Sequence, residues 1–120
     1  MDKLALGSKG EDLACALLEQ KGYRILERNY RDRKAEIDLI ACYGEFLIGV
    51  EVKTRQGNSR LSPRLNLNRK KGKMLRWAMT RYAVKTGFRG ELRIDLIEVK
   101  YDACKFSLNH VKGFVDSLSD

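Results

Sequence analysis

Several residue types on which sites are commonly built are scarce in this sequence. Histidine occurs once, at His110, which gives histidine-based metal or acid–base chemistry little support and leaves a surface or packing role as the default. Proline and tryptophan also occur once each, as Pro63 and Trp77. The three cysteines, Cys15, Cys42 and Cys104, are odd in number and widely spaced, which matches neither a disulfide framework nor a C-x-x-C zinc spacing. They are read as reduced, mostly structural thiols. The opening Met-Asp-Lys-Leu-Ala-Leu-Gly has no apolar signal core, and no later run reaches the length of a bilayer crossing. A protein of the cytoplasm without membrane contact is expected. Internal repeats and low-complexity tracts are lacking too, so residues 1–120 are expected to form one domain around one core.

Acidic residues are missing from Val52 to Gly90, although half of the Lys and Arg fall there. That block carries +12 of formal charge, the rest of the chain −4, and the whole +8. Such a block attracts a polyanion through counterion release, the source of sequence-independent affinity for nucleic acid. The alternatives are a solvated basic helix face or attraction to an anionic membrane surface.

Hydrophobic periodicity predicts the order α-β-β-β-α-β-β. Ser8-Lys9-Gly10-Glu11 fits a capping box, and Leu13, Ala14, Leu17 and Leu18 recur at helical spacing up to Gly22. Tyr23 to Tyr30 reads as a short strand, followed by a charged turn at Arg31-Asp32-Arg33-Lys34. Two apolar stretches, Glu36 to Tyr43 and Phe46 to Thr54, flank Gly44-Glu45, and glycine at the first position of a two-residue connection favours a type II′ hairpin. Gln56 to Asn68 reads as a polar loop. Leu75, Ala78, Met79, Tyr82 and Ala83 then mark a second helix that Gly87 ends, and Leu92 to Lys100 and Cys104 to Val111 read as two more strands.

If Gly44 and Glu45 are the turn, Tyr43 faces Phe46, and counting outward sets Asp38 opposite Glu51 with Lys53 on the same face. Ile48, Val50 and Val52 then fill the other face, under a helix. Two carboxylates held that close resist joint ionisation unless a cation is present. Hard oxygen ligands select Mg²⁺ or Mn²⁺, here from Asp38, Glu51 and the Val52 backbone carbonyl, and such an ion keeps waters that leave room for a phosphate. Lys53 would orient or deprotonate a water, or stabilise a phosphorane, in the hydrolysis of a phosphodiester. An acid followed by x-Lys on a strand is common and by itself is usually a solvated face. Here the matching register, and the apolar neighbours Ile37, Leu39, Val50 and Val52 that make a lone charge costly, strengthen the chemical reading.

The motifs Gly7-x-x-Gly10-Glu11-Asp12-Leu13-Ala14, Gly22-Tyr23-x-Ile25-Leu26, Arg28-Asn29-Tyr30-Arg31, Glu36-Ile37-Asp38-Leu39-Ile40, Val50-Glu51-Val52-Lys53-Thr54-Arg55 and Arg93-Ile94-Asp95-Leu96-Ile97 resemble, in order, those of the bacterial YraN family. The resemblance spans nearly the whole chain. It implies a restriction-endonuclease-like α/β fold, a three-layer α/β/α arrangement with a central mixed sheet, and kinship with archaeal Holliday junction resolvases. It implies a PD-(D/E)xK endonuclease acting on DNA, with Asp38, Glu51 and Lys53 as the catalytic core and, by analogy with resolvases, a symmetric homodimer. A nucleic-acid-binding module that kept this fold without cutting is the alternative. By the same resemblance Glu11 matches an acid of the first helix that joins the metal site, while as the N3 residue of a capping box it is explained structurally. Two departures stand out: Ala35 where the family usually has glycine, and Arg69-Lys70-Lys71 where related nucleases often carry a glutamine.

Phosphate contacts are expected from Thr54, Arg55, Arg60, Arg64, Arg69, Lys70, Lys71 and Lys73. Thr54 and Arg55 could equally just end their strand. Glu36 is read as exposed, Asp95 as paired with a nearby arginine, and Trp77 as a core or dimer contact.

Overall fold

The computed structural model describes residues 2–57 and 69–114. Their elements follow the predicted order: α1 (Lys3–Gln20), β1 (Arg24–Asp32), β2 (Ala35–Tyr43), β3 (Phe46–Gln56), α2 (Arg69–Thr86), β4 (Glu91–Asp102) and β5 (Lys105–Val111). The strands form one five-stranded sheet in the order β1-β2-β3-β4-β5. Only β3 and β4 pair in parallel, joined by the α2 crossover, so the sheet is mixed and β3 is its central strand. Residues Arg60 and Arg64, with Pro63 and the rest of the expected loop beyond Gly57, lie outside the described residues.

Helix α1 starts nearly two turns before the sequence pattern predicts. The Asp2 side chain accepts the Ala5 N–H at 2.7 Å and caps the first turn, so Ser8 and Glu11 lie inside the helix, not at its end. A carboxylate free to accept an orphan N–H is a strong N-cap, and it moves the helix start ahead of the Ser8–Glu11 box. The helix stops as expected at Gly22, whose φ of +92° suits glycine, while Tyr23 N–H returns to the Leu18 carbonyl.

The two helices cover opposite faces of the sheet. On one, Ala14 and Leu18 of α1 pack with Leu39, Ala41, Ile48, Val50, Ile97 and Val99. On the other, Leu75, Ala78, Met79 and Tyr82 of α2 pack with Ile37, Ile40, Leu47, Ile94 and Leu96, closed by Phe114, whose N–H donates to the Ile94 carbonyl. Each fully buried Leu, Ile or Met of these layers contributes about 1.5–3 kcal/mol through removal of apolar surface from water. Trp77 is not among them; it is 64% exposed, which corrects the expectation of a core contact.

At Gly10 the α1 backbone comes against β3 so closely that a Cβ would overlap Thr54 Oγ1. Thr54 is β-branched and stiff, so it yields little. Gly10→Ala is therefore expected to cost about 1–3 kcal/mol through overpacking, despite alanine's better helix propensity. Thermal melts of Gly10→Ala and of the double variant Gly10→Ala/Thr54→Ala check this: the second change should recover most of the loss, and additive losses would refute the contact.

Candidate active site

The hairpin of β2 and β3 turns at Gly44-Glu45 with Gly44 at a φ of +57° and Tyr43 paired with Phe46. The ladder then runs in the expected register to Leu39–Val50. At the next step, where Asp38 and Glu51 would pair, the strands splay. There the Asp38 carboxylate itself accepts the Val52 N–H at 2.8 Å. In an extended strand a residue's N–H and C=O leave on the same side, so the Val52 carbonyl also points toward the splay.

The alternation of β2 fails at this place. Ile37 and Ile40 both pack with α2, while Leu39 between them packs with α1. Opposite the break, Asn29 of β1 adopts a φ of +52°, and it is skipped between the Arg28–Leu39 and Tyr30–Ile37 pairs. Period-two counting foresees the meeting of Asp38 and Glu51 and misses this irregularity.

Asp38, Glu51, Lys70, Lys71, Met74 and the Lys34–Glu36 segment line a cleft of about 500 Å³ between the hairpin and α2. Burial, followed by repulsion from Glu51, pushes the Asp38 carboxyl up to about 7, although the Val52 N–H and Lys53 work the other way. Glu51 is buried at 5% exposure. Its Oε1 meets Lys71 Nζ at 3.1 Å and Lys53 Nζ at 3.3 Å, whereas its Oε2 is buried with no hydrogen-bond partner among the described residues. Burial lowers the affinity of Lys71 for its proton, but the Glu51 contacts outweigh it and the ammonium is held above its ordinary range. Lys71 stands in the Arg69-Lys70-Lys71 segment, and the sequence pattern does not signal its reach to Glu51.

Glu11 is near enough for its charge to add to the rise at Asp38. It lines a second cleft, of about 590 Å³, between α1 and the end of β3, together with Lys53, Thr54 and Arg55. Burial raises its pKa, opposed by a hydrogen bond with Asn29. With the capping role gone to Asp2, its structural explanation is now that contact. Among the described residues no group of three or more His, Cys, Asp or Glu side chains is gathered as an ion site. Asp38, Glu51 and the Val52 carbonyl are donors at hand with Glu11 nearby, and the orphaned Glu51 Oε2 and the raised Asp38 carboxyl are both features that an added cation would relieve.

Of the other expected contacts, Arg69, Lys70 and Lys73 are exposed on α2 and Arg55 borders the second cleft, while Thr54 packs against α1. Glu36 is exposed beside Arg31, as expected. Asp95 is fully buried away from the cleft: Arg93 donates to both of its oxygens at 2.8 and 2.9 Å, Gly113 N–H donates at 2.9 Å, and His110 Nε2 lies at 2.7 Å. On its other side, His110 Nδ1 lies 3.0 Å from Lys21 Nζ. His110 thus has a packing role and not a surface one, its side chain being 2% exposed.

A mixed sheet with a helix on each face, and a carboxylate pair with two lysines where its central hairpin opens, defines an α/β protein with a candidate cation site beside a basic helix. The model of the uncharacterised protein family UPF0102 matches residues 10–99. This chain belongs to that family, which is the YraN family that its motifs resemble. Similar relatives, each described as a UPF0102 protein, include one from Thermotoga neapolitana, 43% identical over 74% of this chain and 81% of its own length. Another, from Carboxydothermus hydrogenoformans, is 38% identical over 97% of this chain and 99% of its own. A third, from Alkaliphilus oremlandii, is 39% identical over 90% and 95%. No helix of the described residues is long and apolar enough to cross a membrane.

Proposed function

We propose that this chain is a metal-dependent endonuclease of the PD-(D/E)xK type and restriction-endonuclease-like fold, hydrolysing phosphodiester bonds in DNA, with branched or structured DNA as its preferred class. The observation that carries the reading is the Asp38–Glu51 pair: one carboxyl raised to about 7 and the other with a buried oxygen left without a partner. Desolvating and opposing two acids in this way is costly, and catalytic sites are where such cost recurs.

Asp38, Glu51 and the Val52 carbonyl would hold Mg²⁺ or Mn²⁺, which suit an all-oxygen donor set. When bound, the ion supplies Lewis acidity at a phosphate oxygen. The remaining work falls to the chain. Lys53, on the strand beside Glu51, donates a hydrogen bond to the attacking water or to the charge that grows on the phosphorane. Lys70, Lys71 and Lys73 grip flanking phosphates and set the strand in register with the pair. Symmetric dimerisation, by analogy with resolvases, would present two such sites to two strands; sedimentation showing a monomer with and without DNA would refute it.

One observation favours the second reading, a binding module that does not cut: Lys53 and Lys71 already share Glu51 Oε1 and partly neutralise it. The deciding experiment is cleavage of labelled single-stranded, duplex and four-way-junction DNA with Mg²⁺, Mn²⁺ or EDTA, comparing the native protein with Asp38→Ala. The nuclease reading expects metal-dependent cutting, reduced about 10³-fold or more in the variant, the loss of several kcal/mol of charge stabilisation. Binding without cutting under every condition would establish the non-catalytic module.

A further inference from the structure

Trp77 is the only tryptophan of the chain, and it stands 64% exposed on α2, one turn beyond Met74, itself 37% exposed. The two flank a shallow groove of about 350 Å³ with Arg33, Lys34 and Arg81 on its rim, where Arg81 is paired with Asp32, the one acid of the lining. This groove is continuous with the carboxylate cleft, because Lys34, Ala35 and Met74 line both. From Lys71, at Glu51, to Trp77 the helix rises about 9 Å, which is the length of two or three stacked nucleotide steps of about 3.4 Å.

We propose that Trp77 is a stacking platform for an unpaired nucleobase, so that the chain engages a single-stranded segment running from the Asp38–Glu51 pair across Met74 to the indole. The proposal deepens the nuclease reading and rests on it. The charge of the surroundings selects the occupant. Helix α2 carries seven Lys and Arg and no acid, so its rim complements a phosphate backbone. A second copy of the chain seated here about a two-fold axis would set the same basic helix against itself. The indole also selects the state of the strand. Bases within a duplex already have both faces covered, and an aromatic side chain on a protein surface finds a free base face only where the strand is single, splayed or flipped.

Because Trp77 is the sole tryptophan, its emission reports on the site directly. The native protein, kept in EDTA, is titrated with a single-stranded oligothymidylate and with a blunt duplex of equal length. Quenching by the single strand, with little by the duplex, is the expected result. Trp77→Ala should weaken single-strand affinity about tenfold, and Trp77→Phe, which keeps an aromatic face, should recover most of it. The side chain is exposed, so neither variant should disturb folding.

Single-strand binding that leaves emission and Trp77→Ala affinity unchanged overturns the proposal. If metal-dependent cleavage, lost in Asp38→Ala, persists in that case, the nuclease reading stands without it; if neither nucleic acid binds and no metal-dependent cleavage is seen, both fall. A Trp77→Ala change that converts a dimer to a monomer without altering affinity assigns the indole to a protein interface, and likewise overturns it.

Discussion

Asp38→Asn is expected to melt about 10 °C or more above the native protein at pH 8 while losing metal-dependent cleavage. The folded Asp38 carboxyl titrates near 7, above its ordinary value of 3.8, so the folded state holds this proton more tightly than the unfolded chain. Its stabilising contribution is therefore present below about pH 4, declines as pH rises toward 7, and is gone above that. The decline is on the order of 4 kcal/mol. Asparagine carries no charge to be repelled by Glu51 and still accepts the Val52 N–H, so it escapes the penalty. Two further results follow from the same cause. At pH 4 the gap between variant and native should nearly close, and Mg²⁺ or Mn²⁺ at pH 8 should raise the native melting temperature but not that of the variant. Scanning calorimetry at both pH values checks all three; equal melting temperatures at pH 8 would mean that the two acids do not oppose each other.

The opposite sign is expected at Asp95. Burial alone would raise its pKa, but hydrogen bonds from His110, Arg93 and Gly113 outweigh that and hold it below its ordinary value. Its contribution to stability is present above about pH 4 and lost as the carboxylate protonates at lower pH. Asp95→Ala strips Arg93 and His110 of their partner in a dry setting and should cost about 3–5 kcal/mol, the penalty of leaving a buried charge unpaired. The melting temperature should fall by about 10 °C or more. Because Asp95 does not touch the cleft, protein that remains folded at low temperature should bind DNA as the native chain does. A neutral effect in a urea titration would refute the buried network.

The strand order and both helices are legible in the sequence because each apolar pattern has one period and one buried face. The Asp38–Glu51 meeting is legible for a narrower reason: a two-residue turn with glycine first leaves one register. What sequence reasoning misses arises from competition or from distance. Asp2 outcompetes Ser8 as a cap, and a local pattern gives no measure of that contest. The break of alternation beside Asp38 answers to Asn29 on a neighbouring strand. Lys71 and His110 gain their partners across 20 and 15 residues, and nothing adjacent to either announces the contact.

The short turn at Gly44-Glu45 also places a constraint on length. Both acids and Lys53 belong to one hairpin, and side chains switch faces with every residue of slip. Insertion of one residue between Asp38 and Glu51 would leave every donor in the sequence and still part the pair. In this chain the spacing across that turn thus matters as much as the acids themselves, because a changed count would part them even with every residue kept.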